Sequence, residues 1–229
     1  MPSLPSLLHL DSSANRSGES VSRQLTARFA DTWRAAHGPA AGYRYRDLAA
    51  DPVPPLDTAY CVLGRRLERE GLVPPQEVDA LLGTPAEKET WELTHPLITE
   101  LLTADTVVIG APMYNYAVSA SLKAWIDRIT FPGAFTDPAT GGSALRGTKV
   151  VVLGARGGAY GPGTPREGWD FQTPYLRKYF AGLGVRDENL RFVTAELTVA
   201  PALPALAEFR PLATESLAAA RAETTALAH

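Results

Sequence analysis

Cysteine is almost absent from this chain of 229 residues. Cys61 stands alone, so no intramolecular disulfide framework and no cysteine-built metal centre is available. The four histidines do not cluster with carboxylates at metal-ligand spacing near it, and Cys61 reads as a small core or surface residue rather than a catalytic thiol. Long apolar runs are missing as well. Nothing approaches the roughly 18 residues of a membrane span. The first ten residues carry Pro2 and Pro5 without a basic stretch ahead of an apolar one, so neither a membrane partner nor a secretory signal is expected, and a cytoplasmic location is the default expectation. Nor is there a surplus of one charge: 22 Lys and Arg against 25 Asp and Glu leave −3, with no basic stripe, and no nucleic-acid partner is expected. What remains is 45% hydrophobic and 21% charged, an ordinary balance for a globular protein. A single α/β domain of this length buries roughly 70% of its unfolded surface and needs neither metal nor disulfide to hold it.

The most informative stretch runs from Thr106 to Ile129. Val107, Val108 and Ile109 form a β-branched run of the kind expected for a parallel strand covered on both faces. Gly110 and Pro112 punctuate it. Met113, Tyr114, Asn115 and Tyr116 follow as a loop, and Ser119 then caps a helix whose Leu122, Trp125, Ile126 and Ile129 share one face. In open α/β sheets ligands bind beyond the carboxyl ends of strands, and a loop of a thioether, two phenols and an amide suits a flat heteroaromatic ring. The same tyrosines would also serve simply to pack over the sheet end.

Other strands and helices alternate around this unit. Ser6 to Leu10 is the first strand; a serine-rich turn, Ser12 to Ser22, leads into a helix marked by Val21, Leu25, Phe29 and Trp33 that ends before Gly38. Hydroxyls of Ser13, Ser20 and Ser22 beside a helix start suit one phosphate, since the turn has neither the Gly-Lys-Ser/Thr of a Walker A loop nor a Gly-x-Gly-x-x-Gly; it also reads as an ordinary serine cap. Gly42 to Arg46 is expected at a sheet edge, and Asp47 to Leu56 as an extended loop. Helical pieces are expected over Val62 to Glu70 and Gln76 to Leu82, then over Glu87 to Ala104 with a kink or break where Pro96 follows His95. His95, on an apolar face with Trp91, Ile98 and Leu102, reads as packed rather than as a base. Lys149 to Gly154 is the next buried strand, and its Ala155-Arg156-Gly157-Gly158 turn lets backbone amides approach a ligand, or is only a flexible turn. A helix through Tyr175, Tyr179 and Leu183 ends at Gly184, Leu190 to Leu197 is the fifth strand, and Leu206, Phe209, Leu212 and Leu217 mark a closing helix. No linker or repeat divides the chain, so a single doubly wound domain over residues 1–229 is expected.

Three of these segments, Ser20-Val-Ser22, Pro112-Met-Tyr-Asn-Tyr116 with Ser121-Leu-Lys-Ala-Trp-Ile-Asp127, and Ala155-Arg-Gly-Gly158, together resemble the FMN-dependent NADH:quinone oxidoreductases, also called azoreductases, of the flavodoxin-like superfamily. The resemblance extends from about Leu7 to Leu197 in the same order. It implies a flavodoxin-like, doubly wound, five-stranded parallel sheet of order 2-1-3-4-5 with helices on both faces, FMN as cofactor, NADH or NADPH as hydride donor, a quinone or azo compound as acceptor, and a homodimer. It implies further that Ser13, Ser20, Val21 and Ser22 lie at the FMN phosphate, Met113, Tyr114, Asn115 and Tyr116 along the ring, and Ala155, Arg156, Gly157 and Gly158 at its pyrimidine end. Two departures stand out. Ala155 replaces the family's usual serine, and a first loop about a residue longer lets Ser12 take the place of Ser13. Phe131 and Phe135 are the aromatics expected near a partner's site. No dedicated acid or base is evident and no metal is implied; the proton comes from solvent or from Tyr114. The rival readings are a flavodoxin-like electron carrier and a non-enzymatic interaction protein that has lost the cofactor.

Overall fold

The computed structural model describes residues 4–71 and 73–229; Pro2 at the amino terminus and Leu72, inside the 58–83 segment, lie outside the described residues. Five strands, β1 (Ser6–Asp11), β2 (Gly42–Asp47), β3 (Thr106–Pro112), β4 (Lys149–Ala155) and β5 (Leu190–Ala195), form one sheet in the order β2-β1-β3-β4-β5. Every pairing is parallel. The order reverses between β1 and β3, and this opens the crevice where the first and second turns meet.

Strand alternation divides the core in two. Val107, Ile109, Val150 and Val152 face the layer of α2 (Thr58–Glu70), α3 (Pro85–Leu102), α4 (Ala120–Ile129) and α5 (Gln172–Gly182). Their neighbours Val108, Val151 and Leu153 face α1 (Val21–His37) and α6 (Arg210–Leu227). Both faces of β3 are buried along its length, which is why it carries no polar alternation.

The helices start where their caps dictate. Ser119 accepts the Leu122 amide at 3.2 Å to open α4, and Thr84 and Glu87 form a reciprocal capping box on α3. Of the kink or break expected near His95, the break is absent: α3 continues through Pro96. Pro96 and Glu92 both lie on the exposed face, where water replaces the donor that the Glu92 carbonyl loses. The 58–83 segment is helical as α2 and as a 3₁₀ turn, Pro75–Leu81. The closing segment differs from expectation in part. A 3₁₀ turn, Pro204–Phe209, precedes α6, whose buried residues are Ala213, Ala220 and Thr224; Leu217 packs against the core beside them as expected, whereas Leu212 is 53% exposed.

Candidate functional site

The first turn leaves β1 at Asp11. Ser12 is stitched to the neighbouring strand: its hydroxyl and its amide both donate to the Gly110 carbonyl, at 2.6 and 3.2 Å, and its own carbonyl accepts from Ser121 Oγ at 3.1 Å. That hydroxyl is committed to the frame. Ser13 instead joins a hydroxyl cluster, accepting from Ser20 Oγ at 3.0 Å, with Ser22 Oγ 3.4 Å beyond. Ser20 is the N-cap of α1, yet its side chain makes no capping bond. The amides of the first helical turn have no intrahelical acceptor and sit at the positive end of the helix dipole, so the turn presents hydroxyl and amide donors together.

The second turn closes as a two-residue hairpin. Tyr114 and Ala117 exchange both backbone bonds at 3.1 Å, and the residues between them, Asn115 (φ 48°) and Tyr116 (φ 71°), are both left-handed. Asparagine tolerates that region; tyrosine pays about 1–3 kcal/mol for it. Interlocking contacts hold the turn: Tyr116 sets its ring edge-on against Trp169 at 5.1 Å, its carbonyl accepts the Phe171 amide at 3.1 Å, and the Met113 amide donates to the Ala155 carbonyl at 2.9 Å. The Tyr114 hydroxyl crosses to the first turn, 3.3 Å from Ser13 Oγ, and accepts the Ala14 amide at 3.2 Å.

In the third turn the side chain of Arg156 is buried and points into a carboxylate cluster, 2.7 Å from Asp170 and 3.3 Å from Glu196, with Thr173 Oγ1 at 2.6 Å. Its carbonyl accepts from both the amide and the hydroxyl of Thr198, at 2.9 and 3.0 Å. These bonds tie the turn to the segment after β5.

Ser13, Ser20, Val21, Ser22, Met113, Tyr114, Ala155 and Gly157 line one cleft of about 630 Å³. Four expected residues do not line it. Asn115 borders a second, apolar cavity of about 730 Å³ on the other side of Tyr114, together with Val118, Phe171 and Tyr175. Tyr116 packs on Trp169, Arg156 is spent on its carboxylates, and Gly158 lies against the Arg166 guanidinium, which would come within 2.7 Å of any Cβ there. Phe131 and Phe135, expected near a partner, are buried in this chain's own core. His95 stacks on Trp91 at 5.1 Å, as a packed residue does. Asn15, Glu19, Pro112, Thr198, Val199 and Ala202 line the cleft as well, none of them expected as a site residue. For Thr198, Val199 and Ala202 the signal is positional: residues just past the carboxyl end of β5 belong to the ligand rim of such a sheet. Among the described residues no group of three or more His, Cys, Asp or Glu could hold a metal, and no helix is long and apolar enough to cross a membrane.

The cleft thus offers anion donors at one end and a thioether, a phenol and glycine backbone at the other. The family model described as a flavodoxin-like fold matches residues 5–210. An FMN-dependent NADH:quinone oxidoreductase of Nocardia farcinica is 45% identical over 207 residues, 90% of each chain. A protein of the same name from Frankia casuarinae is 43% identical over 219 residues, 96% of each chain. Among solved structures, an azoreductase from Bacillus anthracis superposes with a TM-score of 0.76 at 21% identity over 98% of both chains. An FMN-dependent NADH-azoreductase from the same species, solved in complex with FMN, gives 0.76 at 21% identity over 97% of both. Those two likenesses speak for the fold; the sequence matches go further, and by them the chain belongs to the flavodoxin-like family of FMN-dependent NADH:quinone oxidoreductases.

Proposed function

We propose that the chain is an FMN-dependent NAD(P)H oxidoreductase that reduces quinones or azo compounds, acting as one flavodoxin-like domain in the cytoplasm. The observation that carries this reading is the convergence of three separate turns on one cleft of about 630 Å³, within the range of small-ligand and cofactor sites. The fit to FMN rests on donor chemistry. The Ser13, Ser20 and Ser22 hydroxyls and the start of α1 form an anion cradle, and Ser20 leaves the first-turn amides uncapped. Ser13 rather than Ser12 is the phosphate contact in this reading, because Ser12 is bonded to Gly110.

Bound FMN would supply the redox chemistry, accepting hydride from NADH or NADPH and passing two electrons to the acceptor. The chain supplies placement. Met113 and Tyr114 offer dispersion surface to a flat ring, and the Gly157 backbone borders its polar edge. No side chain at the cleft is set up as an acid. The Tyr114 hydroxyl is engaged with the first turn, so protons are drawn from solvent.

We also propose a homodimer. Phe171 is 62% exposed and Trp169 49% exposed, and Phe171 borders the apolar cavity beside Tyr114. A second copy covering that face would remove large aromatic surface from water and wall the acceptor's approach; sedimentation at the mass of two chains is the expected result. Anaerobic mixing with NADH tests the activity. Flavin bleaching within the mixing experiment, followed by recovery on adding a quinone, is expected. A flavin that stayed yellow would mark an electron carrier, and a colourless protein that takes up no FMN would mark an interaction protein.

A further inference from the structure

Behind the first turn, away from the cleft, lies a partly buried charge cluster on β1, β2 and α1. Its centre is Arg23, whose side chain is 13% exposed and faces a different surface hollow. The guanidinium grips the Asp47 carboxylate with Nη1 and Nη2 at 2.9 and 2.7 Å, and Nη1 also lies 3.3 Å from Asp11 Oδ2 and from the Tyr45 hydroxyl. Its remaining donors go to the backbone of the first turn: Nη2 to the Ser13 carbonyl at 2.8 Å and Nε to the Asn15 carbonyl at 3.1 Å. All three nitrogens are engaged, and the residue has no donor left to reach across the turn to a ligand. Burial disfavours the Arg23 charge, but the Asp47 and Asp11 carboxylates outweigh it and hold the pKa above the ordinary arginine value.

The consequence lies in one peptide plane. The Ser13 carbonyl and the Ala14 N–H belong to the same trans peptide and point in opposite directions. Arg23 holds the carbonyl on its own side, so the Ala14 N–H emerges on the other, where it donates to the Tyr114 hydroxyl at 3.2 Å beside Ser13 Oγ. We infer that Arg23 is a positioning residue for the anion end of the cleft: without touching the phosphate, it fixes the Ser13–Ala14 peptide so that the Ala14 amide holds the Tyr114 hydroxyl against the first turn and the Ser13 hydroxyl stays in the wall of the cleft. The role is orientational rather than Coulombic, because the Asp11 and Asp47 carboxylates already offset the Arg23 charge, with the exposed Arg16 guanidinium a further 3.5 Å from Asp47. It depends on the fork. Lysine keeps the charge but cannot grip Asp47 with two nitrogens while holding two carbonyls.

This inference rests on the FMN reading of the cleft, and the test separates the two. Cofactor-free protein is titrated with FMN and with riboflavin, which lacks the phosphate, and binding is followed by flavin fluorescence. The wild type is expected to prefer FMN. In Arg23→Lys and Arg23→Leu that preference is expected to fall at least about 10-fold, equivalent to about 1.4 kcal/mol, while riboflavin affinity stays within about threefold. General loosening of the fold would weaken both flavins alike. An FMN-to-riboflavin ratio equal to the wild type's in either variant overturns the role, and rescue by lysine alone would replace it with a simple charge effect. If neither Arg23 variant folds, Asp47→Asn loosens the anchor from the far side, and an unchanged ratio there overturns the role equally. A wild type that binds the two flavins equally, or binds neither, overturns the FMN reading itself and the inference with it.

Discussion

A methyl group at Gly110 is a direct probe of how tightly the first turn is held. Gly110 lies opposite Asp11 in the β1–β3 register, and a Cβ built on it falls 2.7 Å from Asp11 Oδ1 and 3.1 Å from Thr26 Cγ2. The carboxylate has nowhere easy to go. Oδ1 accepts from Thr26 Oγ1 at 2.7 Å, and Oδ2 accepts from the Tyr45 hydroxyl at 3.0 Å and from Arg23 at 3.3 Å. Gly110→Ala therefore costs an overpacking penalty of about 1–3 kcal/mol together with a charge-assisted hydrogen bond of about 1.5–3 kcal/mol, roughly 3–5 kcal/mol in all. The assay is urea unfolding of the cofactor-free protein, read as a fall in midpoint at constant slope. Coupling makes the reasoning testable beyond the single mutant. In an Asp11→Ala background the oxygen that meets the methyl is gone, so the same substitution should cost under about 1 kcal/mol, an interaction energy of at least about 2 kcal/mol. If the two substitutions add to within about 0.5 kcal/mol, the carboxylate is not what excludes a side chain at Gly110.

Arg128 is fully buried and donates to the carbonyls of Pro54 and Pro55 and to the hydroxyls of Thr90 and Thr94. Arg128→Met leaves those acceptors without a donor and should destabilise by about 3–5 kcal/mol in the same unfolding assay. Glu87 answers to pH. Its bonds from Arg66, at 2.6 and 3.0 Å, outweigh burial and, with the Gly83 and Thr84 amides, hold its pKa below the ordinary carboxyl value. The stabilisation is therefore present above the unfolded pKa of about 4.3 and is lost as pH falls through the folded value, so the midpoint gap between wild type and Glu87→Gln should be widest near neutrality and close in acid; a gap that ignores pH refutes it. Tyr114→Phe should keep quinone turnover within about threefold, since a true general acid would cost on the order of 100-fold or more in steady-state rate.

Residues whose environment is set by near neighbours are legible in the sequence. The Val107–Ile109 and Val150–Val152 runs announce strands buried on both faces, and Ser20 and Ser119 announce the starts of α1 and α4. Where the partner is distant, sequence reasoning misleads. Leu212 looks like a core residue of the last helix, yet α6, which lies against both α1 and β5, buries the small side chains of Ala213, Ala220 and Thr224 and leaves Leu212 in water. Arg156 sits in a glycine turn that suits a ligand, but its partners Asp170 and Glu196 lie 14 and 40 positions away and turn it inward. Thr198 to Ala202 carried no motif at all and reached the cleft through the carbonyl of Arg156.

The turns share a construction that explains why their sequences alone understate them. Each has a polar anchor set behind or beneath it. Arg23 holds the carbonyls of the first turn, the buried Gln172 amide donates to the Pro112 carbonyl at 3.0 Å beneath the second, and Arg156 locks the third to Asp170 and Glu196. A buried polar group is costly unless satisfied and rigidifying when it is, so anchors of this kind convert loop ends into fixed geometry. Fixing the turns before a ligand arrives removes the ordering cost that flexible loops would charge against binding. It also separates two classes of substitution. Trimming a wall residue such as Val199 removes contact area in proportion to its size, whereas removing an anchor releases backbone donors whose direction no wall residue can restore.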